Sequence, residues 1–302
     1  MMDRLGSMAL FVTVAEAGSL SAAGRGLGMP LATVSRRLSD LERHLGTRLF
    51  NRSTRRLELT EAGRSYLAAC RRILEEIEEA EQSAAGEYSQ ARGELVVTAP
   101  IVFGRLHVLP VVVDFLAAYP EVDVRLTQSD TLRRLVEEHI DLAVRIGHLP
   151  DSSMVATRVG SIRRVACASP AYLEAHGEPK TLQELSAHHC VTVERLALPA
   201  AWTFMEGQRE IAVPVRSRLT INTAEAAIDA AVAGVGIARV LSYQVADAVR
   251  SGVLRLILED FEPEPWPVSL VHTGRGLLPL KLRAFLDFAA PRLKARLAGL
   301  GI

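Results

Sequence analysis

Residues 31–52 read LATVSRRLSDLERHLGTRLFNR, and this stretch decides the fold of the N-terminal part. Val34, Leu38, Leu41 and Leu45 recur at intervals of four, three and four, which sets them on the buried face of a helix from about Leu31 to His44. Gly46 supplies the left-handed residue that ends such a helix. Upstream, Gly28-Met29-Pro30 makes a turn. Proline is acceptable there because the first N–H groups of a helix have no intrahelical partner. Ser19 or Ser21 caps a short second helix through Leu27. Gly24 and Gly26 weaken that helix by up to ~1 kcal/mol each. A first helix, Leu5 to Ala17, carries Leu5, Met8, Ala9, Phe11, Val12 and Ala15 on one stripe and stops at Gly18. Downstream, Arg48 to Asn51 and Arg56 to Leu59 read as two short strands around Ser53-Thr54-Arg55.

A helix, a tight turn, a second helix rich in Ser, Thr and Arg at its start, and then a hairpin make a winged helix-turn-helix. Such a motif lays the start of its second helix in the major groove of double-stranded DNA. The candidate contacts on that helix are Leu31, Ala32, Thr33, Ser35, Arg36 and Arg37. Arg36 can bond guanine bidentately, Thr33 and Ser35 can reach a base or a phosphate, and Leu31 and Ala32 can touch thymine methyls. On the hairpin, Arg52, Ser53, Arg55 and Arg56 can follow the phosphate backbone or enter the minor groove. A surface helix with ordinary solvated arginines shares part of this pattern, but charge separates the two readings. The 302-residue chain has no net charge, yet residues 19–60 hold eight arginines and three acids, a local +5. Basicity confined to one segment of a neutral chain points to a polyanion-binding module.

Thr60 and Glu61 open a long helix to about Ala85. Along it Tyr66, Cys70, Ile73, Ile77, Ala80 and Ala84 alternate at spacings of four and three, the period of a coiled coil. It reads as a linker helix that pairs two subunits; packing on its own domain is the alternative. From Gly93 the pattern changes to short apolar runs: 95–97, 122–126, 142–144, 165–168, 190–193, 219–221, 254–258 and 268–271. Helical patterns lie between many of them, at 106–119, 223–233 and 280–297. That alternation indicates an α/β fold with mostly parallel sheets. About 200 residues are enough for two small lobes.

Several function classes are excluded. Met8 to Ala17 imitates a secretory signal, but Asp3 offsets Arg4 and the apolar core carries a charge. No long apolar run suggests a membrane span. Cys70, Cys167 and Cys190 are far apart and odd in number, which argues against a disulfide framework and fits a reducing cytoplasm. No spacing suits a metal, and His188-His189 reads as a surface loop. Gly24-Arg-Gly-Leu-Gly28 follows no strand, so it is not a nucleotide loop. The nucleophile elbow, P-loop and HExxH signatures are missing, so neither turnover nor a cofactor is expected.

The strings FVTVAEAGSLSAAG (11–24) and ATVSRRLSDLERHLGTRLFNRSTRRLELTEAG (32–63) resemble the DNA-binding region of LysR-type transcription regulators. DLAVRIG (141–147), ASPAYL (168–173) and AGVGI (233–237) are similar to parts of the family's effector domain. The chain departs from the family at Pro30-Leu31, where Ser-Gln is common. The resemblance implies a C-terminal two-lobed domain like a type 2 periplasmic-binding protein. It implies a homodimer paired through the long helix, association into a homotetramer, and bending of promoter DNA that a small organic effector changes. RNA polymerase is a further candidate partner, and the setting is cytoplasmic. On this reading residues 1–60 bind DNA, 61–92 form the linker, and 93–302 bind effector. Lobe I takes about 93–161 and 269–302, and lobe II takes 162–268.

Ligands of open α/β folds bind beyond the carboxyl ends of the strands. Thr98, Ala99, Pro100 and Phe103 lie at such an end, where a helix start offers N–H groups to a carboxylate. Ser129, Arg145, Ser169, Asn222 and Thr223 occupy comparable places. Arg145 is either the counter-ion of an anionic effector or the partner of a nearby acid.

Overall fold

The computed structural model describes residues 3–52, 57–84, 90–131, 133–150, 153–193, 201–274 and 278–300. Ser53, Arg55 and Arg56 lie outside the described residues, and of Arg52 only the backbone is described. In the N-terminal unit α1 (Arg4–Ala17) begins at Asp3, whose carboxylate accepts the Gly6 N–H at 3.0 Å. Ser19 caps α2 (Leu20–Gly26), and Gly46, at φ +67°, ends α3 (Leu31–Leu45). The wing is the antiparallel pair β1 (Phe50–Arg52) and β2 (Leu57–Leu59). Phe11, Val14, Val34, Leu38 and Leu49 are wholly buried between these elements. Leu45 differs from its sequence assignment: it is 37% exposed, because the buried face of α3 ends one turn earlier at Leu41. Gly24 also changes meaning. A Cβ there would lie 2.8 Å from the Met29 carbonyl oxygen, so the glycine admits the turn against α2 rather than merely weakening the helix.

Helix α4 (Glu61–Ala84) starts from Thr60, whose Oγ1 accepts the Gly63 N–H at 2.9 Å. Its apolar stripe serves two purposes. Cys70 is wholly buried, and Tyr66 and Leu67 pack with it in the N-terminal core; the Phe11 and Tyr66 ring centroids are 5.3 Å apart. The start of the presumed seam between subunits therefore belongs to the domain's own interior. Ile73, Leu74 and Ile77 remain half-buried, and the side chains of Ala80 and Ala84 lie outside the described residues.

The remainder holds two five-stranded sheets. The first runs β4 (Val122–Gln128), β3 (Gly93–Ala99), β5 (Leu142–Ile146), β14 (Trp266–His272), β6 (Val155–Ile162). The second runs β11 (Arg216–Ile221), β8 (His189–Val193), β12 (Ile237–Leu241), β7 (Arg164–Ala168), β13 (Arg255–Ile257). Between β3 and β4 come α5 (Ile101–Phe103), a π-helical turn (Gly104–Val108) and α6 (Leu109–Ala118). The second lobe adds α7 (Pro170–His176), α8 (Ala224–Val232), α9 (Ser242–Arg250) and a hairpin of β9 (Ala201–Glu206) and β10 (Arg209–Pro214). The chain returns to the first lobe for α10 (Leu280–Ala298).

The expectation of mostly parallel sheets is corrected. β14 is antiparallel to β5 and β6, and β7 is antiparallel to β12 and β13. The cause is the double crossing between lobes. β6 passes through Arg163 into β7, and the chain returns at 262–265 into β14, so the entering strands run against the βαβ strands. Residues 266–268, assigned to lobe II from the sequence, thus lie in the lobe I sheet. In β7 both faces are covered: Val165 and Cys167 face one apolar cluster, Ala166 and Ala168 another. A strand buried on both sides reads as a continuous apolar run, which is why it was legible. The stretch Ile101–Ala118 is apolar and long enough to cross a membrane, but Phe103, Val108, Val111, Val112 and Phe115 are buried in the lobe I core.

Candidate nucleic-acid interface and effector cleft

Val34 and Leu38 fix α3 in the core, and helical geometry then turns the intervening positions outward. Leu31 is 50% exposed, Ala32 and Arg36 are exposed, and Thr33 and Ser35 are half-buried beside them. Arg37 points elsewhere: its Nη2 lies 3.9 Å from the Asp3 carboxylate at the start of α1. Glu42, part of the string that carries the family resemblance, ties the wing to this helix by accepting the Leu49 N–H at 2.9 Å and the Phe50 N–H at 3.2 Å. Thr60 closes the other side, donating from Oγ1 to the Arg48 carbonyl at 2.8 Å.

The two lobes meet where β3 ends. Arg105 Nη2, on the π-helical turn, is 2.9 Å from Glu225 Oε1 in the first turn of α8. Thr223 caps that helix, with its Oγ1 accepting the Ala226 N–H at 3.4 Å, and Asn222 beside it is exposed. Tyr243 of α9 packs edge-on against Phe103 at 5.4 Å. Burial, with the nearby carboxylates of Asp130 and Glu225, raises the Tyr243 hydroxyl above the ordinary tyrosine range. The contacts Arg105–Glu225 and Phe103–Tyr243 thus bring the end of β3 in lobe I against the starts of α8 and α9 in lobe II.

Comparison with known proteins decides the family. The model for the bacterial regulatory helix-turn-helix protein, lysR family, matches residues 5–64, and the LysR substrate binding domain matches 89–294. The chain belongs to the LysR family of transcription regulators. A transcriptional regulator of Xanthomonas campestris is 36% identical over 94% of this chain and 84% of its own length. A transcriptional repressor of Pseudomonas aeruginosa is 36% identical over 95% and 91%. The structure of CrgA from Neisseria meningitidis, a LysR-type regulator, aligns at a TM-score of 0.61 with 30% identity, covering 95% of this chain and 98% of that one. These relatives are regulators rather than enzymes.

Within this LysR-type regulator several expected cleft residues have other work. Ala99 and Phe103 are in the lobe I core, at 1% and 0% exposure, and Thr98 is 3% exposed. Ser169 is buried, and its Oγ caps α7 by accepting the Tyr172 N–H at 3.4 Å. Arg145 donates from Nη2 to the Arg133 carbonyl at 2.6 Å. Burial holds Arg145 below the usual arginine range, and the Glu138 charge opposes that shift. The helix start read as a carboxylate seat is filled from within, since the Ile101 N–H donates to Asp130 Oδ1 at 3.0 Å. Arg105, Asp130, Glu225 and Tyr243 escaped the sequence reading because nothing local marks them; they converge only through the crossing of the lobes. His188 is also corrected. It is 6% exposed, lies 3.2 Å through Nδ1 from the Tyr172 hydroxyl, and leads directly into β8.

His107 sits behind the cleft, against Phe103 and Tyr243, and neither of its buried ring nitrogens has a partner among the described residues. Burial, with the Arg296 charge adding to it, lowers its pKa from 6.5 to about 4. A depressed histidine contributes stability that is complete above the unfolded value and lost as pH falls through the folded one. Between pH 7 and 5 the contribution falls by about 2 kcal/mol. Urea unfolding of wild type and His107→Leu at both pH values should show the stability gap between them changing by that amount. A gap independent of pH would count against the buried neutral imidazole.

Proposed function

We propose that this regulator reads promoter DNA through the exposed start of α3 and answers to a small organic effector in the cleft between its lobes. The observation that carries the reading is the rigid presentation of Leu31, Ala32 and Arg36 by a helix whose Val34 and Leu38 have no exposed surface. Thr33 and Ser35 flank the same surface, whereas Arg37 is turned toward Asp3. Arg52, Ser53, Arg55 and Arg56 serve as phosphate contacts, where a local excess of arginine is favourable. On this reading the half-buried Pro100 and Ser129 and the exposed Asn222 and Thr223 line the cleft, beside the Arg105–Glu225 pair. Residues 1–60, 61–92 and 93–302 act as the DNA-binding, linker and effector units.

Self-association completes the reading: a homodimer, and a homotetramer that bends the promoter, acting in the cytoplasm with RNA polymerase as a further partner. Leu109, Val113 and Leu116, exposed by 42%, 57% and 37% at helical spacing on α6, offer a second copy an apolar stripe.

Footprinting the DNA upstream of its own gene tests this, and half-sites about one helical turn apart would fit a two-fold dimer. Arg36→Ala should cost about 1–3 kcal/mol of affinity for that fragment and relax the preference at one base pair. Equal losses on the promoter and on random DNA would remove Arg36 from base reading.

A further inference from the structure

Lys281 lies in the first turn of α10 and is 5% exposed, an unusual place for an ammonium group. Its Nζ donates to Oε2 of Glu75, which belongs to the linker helix α4. Asp141, just before β5, completes the cluster. Its Oδ2 accepts the Val96 N–H at 2.8 Å, and its carboxyl is close enough to feel the charges of Lys281, Glu75 and Arg72. The other side of Glu75 is closed by Gly93 at φ +90°, where a Cβ would lie 3.0 Å from Glu75 Oε1. On the next turn of the linker helix, Glu78 is 2.5 Å from Arg92 Nη2. The linker helix is thus gripped by the first strand and the last helix of the effector domain together.

The grip continues to the hinge. α10 lies against β6 so closely that a Cβ on Gly160 would be 2.6 Å from Leu297 Cδ1. β6 ends at Ile162, next to Arg163, whose guanidinium holds Glu262 at 2.6 Å and Glu259 at 2.7 Å on the returning crossover. Packed helices and strands shift as units between discrete arrangements rather than deform continuously.

We propose that Lys281 is a positioning residue for regulation: its ion pair with Glu75, backed by Asp141, sets the angle of the linker helix on the effector domain. Through it a movement at the hinge changes the separation of the two DNA-binding heads in a dimer. The pair suits this role because Lys281 is buried while Glu75 keeps 36% of its side chain exposed, so loss of the carboxylate leaves the ammonium as an uncompensated buried charge. The inference rests on the DNA-reading function and goes beyond it.

The test uses full-length protein and two fragments of the DNA upstream of its own gene, one natural and one with half a helical turn inserted between the footprinted half-sites. Wild type should prefer the natural spacing by about tenfold or more, within the range of ordinary coupling energies. Lys281→Met and Glu75→Gln should each reduce that preference to about threefold or less, and the double variant should lose no more than either single one. Affinity for a single half-site should not change, which a loss of folding could not mimic. Lys281→Arg keeps the charge and should restore most of the preference. Unaltered spacing preference in both single variants, in protein that still binds DNA, would overturn the inference and leave DNA reading intact. Wild type that binds neither fragment would overturn both.

Discussion

Gly63→Ala should unfold the DNA-binding end of the protein while leaving the effector domain standing. A Cβ at Gly63 would lie 2.0 Å from the Leu49 carbonyl oxygen, well inside contact distance, and the obstacle is backbone. That carbonyl is not free to retreat. It accepts the Thr60 N–H at 3.0 Å and the Thr60 hydroxyl at 3.3 Å, and Leu49 itself is wholly buried. The first turn of α4 and the wing must therefore separate, at a cost of about 3 kcal/mol or more. For a domain of this size that corresponds to a fall in melting temperature of roughly 10–20 °C. Both tryptophans, Trp202 and Trp266, lie in the effector part, so their fluorescence follows that part alone. Promoter binding should be lost at temperatures where the tryptophan transition is unchanged. Gly26→Ala is the control, because nothing lies within 4 Å of the added methyl. If Gly63→Ala binds DNA as wild type does, the close approach at Leu49 is not the reason for this glycine.

The same glycine shows what could be read from the residues alone. Leu59-Thr60-Glu61-Ala62-Gly63 was recognisable as a string, and the helices around it were legible from apolar spacing. Spacing reports which face is buried, as at Val34 and Leu38, and that depends only on neighbours along the chain. It does not report what meets that face. Leu45 follows the same spacing and stays exposed, because no other element among the described residues covers the last turn of α3. Tyr66 and Cys70 fit a seam between subunits by period, yet α1 claims them. In the effector domain the strands buried on both sides announced themselves. β6 did not, since it is an edge strand with Thr157, Arg158, Gly160 and Ser161 among its residues. The cleft was least legible. Arg105 and Glu225 are 120 positions apart and meet only because the chain crosses twice between the lobes. Asp130 reverses the electrostatic expectation: a helix start that should attract an outside carboxylate is already satisfied by one of the protein's own.

Gly236→Ala should have the complementary effect, weakening lobe II and sparing the N-terminal unit. The added Cβ would lie 2.3 Å from the His189 carbonyl oxygen and 2.8 Å from its carbon, at the point where β12 begins to pair with β8 through Ile237 and Cys190. The neighbouring Gly234 takes φ +79°, so the chain reaches this approach through a turn that L side chains rarely adopt. Moving β8 aside would also disturb Tyr172, whose hydroxyl accepts the His189 N–H at 3.0 Å and lies beside the His188 ring. With Trp202 and Phe204 in the same apolar cluster as Ile237, the displacement reaches the tryptophan directly. The expected cost is about 3 kcal/mol or more. It should appear as an earlier tryptophan transition, with hydrogen exchange faster across 189–193 and 237–241 and unchanged across α1 to α3. The two glycine variants then divide the molecule, because each removes one unit's stability at a contact the other does not share. If either variant melted both units together, the N-terminal unit and lobe II would have to be a single cooperative body, and the separate cores around Phe11 and Phe204 would not be acting separately.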